Sequence, residues 1–85
     1  MKKICVIGLG YIGLPTASVF ARAGYDVLGV DVNQKVVDSL NEGKVTIEEV
    51  DLPELVAEVV ANGHLKASVK PEKADVFIIA VPTPI

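Results

Sequence analysis

A chain of 85 residues, 51% hydrophobic and 22% charged, has the composition of one small globular domain, not of a disordered or multidomain protein. A formal net charge of −3, with Lys and Arg scattered and no basic run, lacks the electrostatic footprint of a nucleic-acid or anionic-membrane binder, so neither partner is expected. No apolar run reaches the roughly 18 residues of a spanning helix, and no convincing cleavage site follows the Lys2-Lys3 start, so the expectation is a soluble, cytoplasmic protein.

The first predicted strand, about Lys3 to Ile7, is apolar at successive positions, as parallel strands buried on both faces are. It contains Cys5, the only cysteine, which excludes an internal disulfide and reads as a small buried hydrophobe in preference to a reactive thiol. The strand feeds directly into Gly8-Leu9-Gly10-Tyr11-Ile12-Gly13, a Gly-x-Gly-x-x-Gly turn. Gly8 lets the chain turn off the strand, Gly10 lets a pyrophosphate approach the backbone, and Gly13 lets a helix pack closely. The free N–H groups at that helix start would face phosphate oxygens. Standing alone, the glycines could serve turn geometry and nothing else.

The helix is expected from about Ile12 to Ala23, with Ile12, Val19, Phe20 and Ala23 toward the sheet. Ala17, Ser18 and Ala21 would allow close approach, while Ser18 either faces outward or bonds back to a carbonyl one turn earlier. Pro15 fits a first turn, and Gly24 a helix stop. A second strand, about Asp26 to Val30, ends in Asp31, eighteen residues past Gly13. That is close to the ~20 expected for the acid that holds an adenosine ribose. A carboxylate there accepts hydrogen bonds from both ribose hydroxyls and repels a 2′-phosphate, which favours NAD over NADP. Asp31 could also be a helix-start acid or a solvated strand end, but strand, glycines, helix, strand and acid stand in register for the cofactor.

Asn33 has the chemistry of an N-cap for a helix to about Asn41, with Val36, Val37 and Leu40 on one face and Gly43 after it. Gly43 to Val50 reads as a connecting loop. Asp51-Leu52-Pro53-Glu54 is a second start signal, followed by Leu55, Val56, Val59 and Val60 at helical spacing and a stop at Asn62-Gly63. His64, after that stop, reads as a surface or capping group. A third strand is expected within Leu65 to Val69, then a turn or one helical turn at Pro71-Glu72-Lys73. Val76 to Val81 is the most apolar run and is expected to be a central fourth strand, ended by Pro82-Thr83-Pro84.

This order is that of a parallel α/β chain, and the predicted fold is a Rossmann-type, doubly wound sheet with strand order 3-2-1-4. Strands one and four then lie side by side, with Gly8 to Gly13 and Pro82 to Pro84 at the two lips of one cleft. Thr83 offers a hydroxyl there, although prolines also end strands without touching a ligand.

The same residues resemble a known family. Gly8 through Pro15, Gly29-Val30-Asp31-Val32-Asn33, Ala74-Asp75 and Ala80-Val81-Pro82-Thr83-Pro84 are similar to the amino-terminal part of the UDP-glucose/GDP-mannose dehydrogenases, over essentially all 85 residues. The resemblance implies oxidation of C6 of a nucleotide sugar to a carboxylate with two NAD molecules in succession. It implies NAD held by Gly8, Gly10, Tyr11, Ile12 and Gly13 at the pyrophosphate, Asp31 at the ribose and Lys35 nearby, and Val81, Pro82 and Thr83 toward the nicotinamide half. Lys35 could equally be a solvated helix charge. Glu49-Val50-Asp51 departs from the family's Glu-Pro-Gly or Glu-Pro-Asp pattern at Val50. The family's nucleophilic cysteine, lysines and asparagine lie beyond residue 85, so the chain is expected to be the amino-terminal part of the NAD-binding domain. The parent would act on a UDP-sugar, and neither catalytic nor metal-binding residues are expected here. An open apolar edge along Val76 to Val81 predicts self-association. Two other readings remain: the NAD-binding part of a 3-hydroxyacid-type dehydrogenase, and a stand-alone dinucleotide-binding module.

Overall fold

The computed structural model describes residues 2–10, 12–45 and 52–80. Seven elements follow in chain order: β1 Lys3–Ile7, α1 Gly13–Arg22, β2 Asp26–Val30, α2 Gln34–Asn41, α3 Leu52–Ala61, β3 Leu65–Ser68 and β4 Val76–Ile79. The strands form one parallel sheet in the order β3-β2-β1-β4. This is the predicted order, and the predicted bounds of the first two strands are met without a shift. The expectations for Tyr11, for residues 46–51 with their cap at Asp51, and for residues 81–85 lie outside the described residues.

The three helices pack on one face of the sheet. Leu14, Ala17 and Ala21 of α1, Leu40 of α2, and Leu52, Val56 and Val59 of α3 join Ile4, Val6, Val27 and Leu65 in one buried cluster. On the other face Cys5, Leu28 and Val30 are buried together, flanked by Ile7 and Ala74. Cys5 is thus the buried apolar residue that its place in the strand suggested.

One expectation about α1 is overturned. Ile12 is 71% and Val19 59% exposed, and Ala23 is exposed as well. The buried stripe is Leu14, Ala17, Ser18 and Ala21, spaced i, i+3, i+4, i+7 as helix geometry requires. After Leu14 in the first turn, only small residues take the inner face, because the helix lies close to the sheet, and Val19 is left on the outer side. Phe20 is half-buried at the rim, with its ring edge-on to Tyr25 at 5.8 Å. Ser18 takes the back-bonding option: its hydroxyl donates to the Leu14 carbonyl at 2.8 Å, which satisfies a fully buried polar group.

All three helices stop in the same way. Tyr25 N–H donates to Phe20 O, Lys44 N–H to Ser39 O, and His64 N–H to Val59 O, each across a left-handed glycine. These are Schellman turns, and they place each following segment at the amino end of the sheet or on the way to it. Asn33 caps α2 as predicted, its side chain accepting from Lys35 N–H at 3.0 Å. The segment at Pro71-Glu72-Lys73 is an irregular connection and forms no helical turn.

The strand read as central from its apolarity stands at the end of the described order, where the predicted 3-2-1-4 already put it, pairing with β1 alone among the described residues. Its apolar sequence reports faces that need cover, not its rank among the strands. Asp75 fixes its register. The Asp75 carboxylate accepts from Lys3 N–H at 2.8 Å, and its own N–H donates to Lys3 O at 2.9 Å. Beside it, Glu72 accepts a hydrogen bond from the Lys3 ammonium at 2.9 Å and raises its pKa above the usual value.

At the opposite end of the order, Asn41 reaches from the last turn of α2 to β3. Its amide donates to Ala67 O at 3.0 Å and accepts from Ala67 N–H at 2.9 Å. In the sequence Asn41 marks only the approximate end of a helix. Replacing it with alanine leaves two strand-edge groups to water. Asn41→Ala is therefore expected to lower stability by about 1–2 kcal/mol, read as a lower urea midpoint at unchanged m-value.

Candidate functional site

The site grows from the point where β1 and β2 end side by side. After Ile7 the chain reverses at Gly8, whose φ of +99° is open to glycine and strained for other residues. Gly8 N–H donates to Val30 O at 2.7 Å, which ties the turn to the end of β2. Leu9 then drops its side chain into the core, 2% exposed, directly over Gly29. A Cβ at position 29 would come within 2.7 Å of a Leu9 methyl. Neither Leu9 nor Gly29 was given a role from sequence. The available signal was a glycine interrupting an otherwise β-branched and apolar strand, which marks a close approach.

The remaining two glycines behave in opposite ways. A Cβ on Gly13 would lie 1.6 Å from the Gly8 carbonyl oxygen, so this position admits no side chain while the turn keeps its shape. A Cβ on Gly10 would meet nothing within 4 Å. The protein's own packing does not require glycine at position 10, and the free space above it belongs to the groove. Helix α1 starts at this turn with Ile12 as N-cap, no side-chain cap and no acid in its first turn. Its first backbone bond runs from Leu14 N–H to Gly10 O at 3.1 Å. The N–H groups before Leu14 are the ones that helix geometry leaves without partners inside the helix.

The groove has a volume of about 300 Å³ and is lined by Ile7, Gly8, Leu9, Gly10, Val30, Asp31 and Val32. Asp31 stands at its rim. One carboxylate oxygen accepts from Leu9 N–H and the other from Asn33 N–H, both at 2.9 Å. Val32, next to it, is 94% exposed, a large apolar side chain turned to solvent at the groove. Of the residues singled out from sequence, the structure brings Gly8, Gly10 and Asp31 to the groove wall, with Gly13 behind the turn and Ile12 at the start of α1. Lys35 lies in the first turn of α2, exposed, outside the groove lining and without an ion pair among the described residues. Tyr11, Val81, Pro82 and Thr83 lie outside the described residues. His64 is half-buried at the entry to β3, its carbonyl accepting from Val27 N–H, at the end of the sheet away from the groove.

These residues fit the adenosine-diphosphate half of a dinucleotide. Open space over Gly10 admits a phosphate to the backbone, a helix start faces it, and a carboxylate stands at the end of the next strand. A parallel sheet of order 3-2-1-4 with this turn between β1 and α1 defines a dinucleotide-binding domain of the Rossmann type. Residues 2–85 match the UDP-glucose/GDP-mannose dehydrogenase family, NAD binding domain, and the chain belongs to that family.

The chain is 61% identical over 83 residues to a UDP-N-acetyl-D-mannosamine dehydrogenase of Campylobacter jejuni, covering 98% of this chain and 20% of that protein. It is 54% identical over 83 residues to an NDP-N-acetyl-D-galactosaminuronic acid dehydrogenase of Ralstonia nicotianae, with the same coverage of each. Among solved structures, the UDP-N-acetyl-mannosamine dehydrogenase of Staphylococcus aureus superposes with a TM-score of 0.94 at 58% identity, over 96% of this chain and 20% of that one. The chain thus spans about a fifth of the length of the relatives it matches.

The contrast between the glycines is testable. Gly13→Ala is expected to cost about 2–3 kcal/mol or more, because backbone must move to admit the methyl group. Gly10→Ala is expected to leave stability within about 0.5 kcal/mol while weakening NAD at least about tenfold. Denaturant unfolding and NAD titration of both variants separate the two effects.

Proposed function

We propose that this chain supplies the amino-terminal, NAD-holding part of a nucleotide-sugar 6-dehydrogenase that oxidises UDP-N-acetylmannosamine to its uronate. The observation that carries the reading is the Asp31 carboxylate at the rim of the groove above Gly10, in a chain of this family. The names of the relatives support the choice of an N-acetylated UDP-sugar. Gly8, Gly10, Tyr11, Ile12 and Gly13 would surround the pyrophosphate. Asp31 would accept from the adenosine ribose hydroxyls, and Lys35 would approach the same ribose. Val81, Pro82 and Thr83 would border the nicotinamide half.

NAD, when bound, supplies the hydride acceptor. The chain's own contribution is to bind it, orient it and refuse a 2′-phosphate beside Asp31. Cys5 is fully buried in the sheet and does not serve as a nucleophile toward the groove. The oxidation itself would therefore rest on residues of a protein as long as the relatives, working in the cytoplasm on precursors for polysaccharide synthesis.

Resonance shifts on titration with NAD and NADP test this. NAD is expected to shift Gly8 to Gly13 saturably, at roughly high-micromolar to millimolar affinity. NADP is expected to bind several-fold more weakly. Equal shifts with both nucleotides would remove Asp31 from the ribose and with it the NAD preference.

Self-association is the second part of the proposal. Val76, Phe77 and Ile79 of β4 are 39%, 51% and 71% exposed, and among the described residues β4 pairs with β1 only. Exposed apolar strands of this kind recruit other chains. Sedimentation is expected to show mass above the monomer, rising with concentration, and a reduction in Ile79→Lys. A monodisperse monomer at high concentration would sink it.

A further inference from the structure

The Asp31 carboxylate already has two protein partners before any ribose is considered. It joins Leu9 N–H, in the middle of the Gly-x-Gly turn, to Asn33 N–H, the N-cap residue of α2. We propose that Asp31 is a positioning residue for the phosphate turn as well as the ribose acceptor, so that one side chain sets both halves of the adenosine-diphosphate site. The proposal deepens the reading of the groove as an NAD site and rests on it in its ligand-binding half.

Among the described residues the turn has few other restraints. Gly8 N–H holds its first residue to Val30 O, and the Leu9 side chain anchors it from below against Gly29. Gly10 has no neighbour within 4 Å of where a Cβ would stand. The Leu9 peptide is therefore where the end of β2 grips the turn, one residue before Gly10, whose carbonyl accepts from Leu14 N–H of α1. The grip is a charge-assisted hydrogen bond in a part-buried place, a stronger kind than a neutral one. Each carboxylate oxygen keeps a further lone pair for the ribose hydroxyls, so holding the turn and holding the ribose are compatible. An exchange of Asp31 that admits a 2′-phosphate therefore also loosens the pyrophosphate half. A cofactor switch at this residue needs a second change that restores an acceptor for Leu9 N–H.

The test uses Asp31→Ala and Asp31→Asn in this chain, with two independent readouts. In amide hydrogen exchange, Asp31→Ala is expected to speed Leu9 and Asn33 at least about tenfold, with Val27, whose N–H donates to His64 O, unchanged as the fold control. Asn offers a single acceptor oxygen, so Asp31→Asn is expected to speed only one of the two amides. The second readout is binding of ADP and of 2′,3′-dideoxy-ADP, which lacks both ribose hydroxyls. Removing a negative charge by itself favours an anion, so a ribose-only role predicts that dideoxy-ADP binds Asp31→Ala as well as, or better than, the unaltered chain. The positioning role predicts binding at least about threefold weaker. Unchanged exchange at Leu9, or undiminished dideoxy-ADP binding, would overturn the proposal. If ADP leaves Gly8 to Gly13 of the unaltered chain unshifted, the nucleotide-site reading fails, and the exchange readout alone decides whether Asp31 holds the turn.

Discussion

The Gly8 carbonyl occupies the space that a side chain at position 13 would need. That contact forces the start of α1 against the end of β1, and much of the architecture follows from it. A helix so close to the sheet can present only small residues inward after its first turn, hence Ala17, Ser18 and Ala21 on the buried stripe. The turn between strand and helix has to be tight, hence the left-handed Gly8 and a Leu9 side chain driven down over Gly29. With Leu9 pointing inward, its N–H is available to the Asp31 carboxylate, and the backbone at Gly10 is left bare on the outside. The groove is what remains when the two elements are pressed together at one end.

The sheet divides the chain's apolar residues unequally. The face of Ile4, Val6, Val27 and Leu65 is covered by all three helices. The face of Cys5, Leu28 and Val30 is buried near β1 and β2. In the register of the sheet it continues into Phe77 and Ile79, which are exposed. Apolarity on both faces of the strands is the reason the sequence reads as a parallel α/β chain. Cover on one face and partial exposure on the other is what these residues show on their own.

The order of the strands, the bounds of the first two and the helix stops were legible because they rest on continuous apolar runs, an Asn33 cap, and glycines at Schellman positions, whereas the fourth strand, expected to Val81, ends at Ile79. The groove was legible through the spacing of Gly8, Gly10 and Asp31, which line it, and of Gly13, which lets its turn close. The inner face of α1 was legible in part: Ala17, Ser18 and Ala21 were expected to allow close approach and do line the buried stripe, but Ile12 and Val19 were turned inward because bulk was taken as the mark of burial. Distance from the sheet decided instead, and distance is a property of the Gly8–Gly13 contact across the turn. Asn41 and the grip of Asp31 on Leu9 were invisible for a related reason. Each is a hydrogen bond between residues 26 and 22 positions apart in sequence, made by a polar side chain with no periodicity to betray it.

The two borders of the sheet are chemically unlike, and this gives the sheet a direction. At β3 the Asn41 amide takes up both hydrogen-bonding groups of Ala67, like one residue of a false strand. At β4 the described border carries apolar side chains and a register fixed by Asp75. Were such a sheet to grow, its growth would be polar in the sense that a filament is polar: a side chain meets the β3 border, while the described β4 border offers apolar strand. The glycine turn and its acid would then remain at a fixed distance from the β3 border.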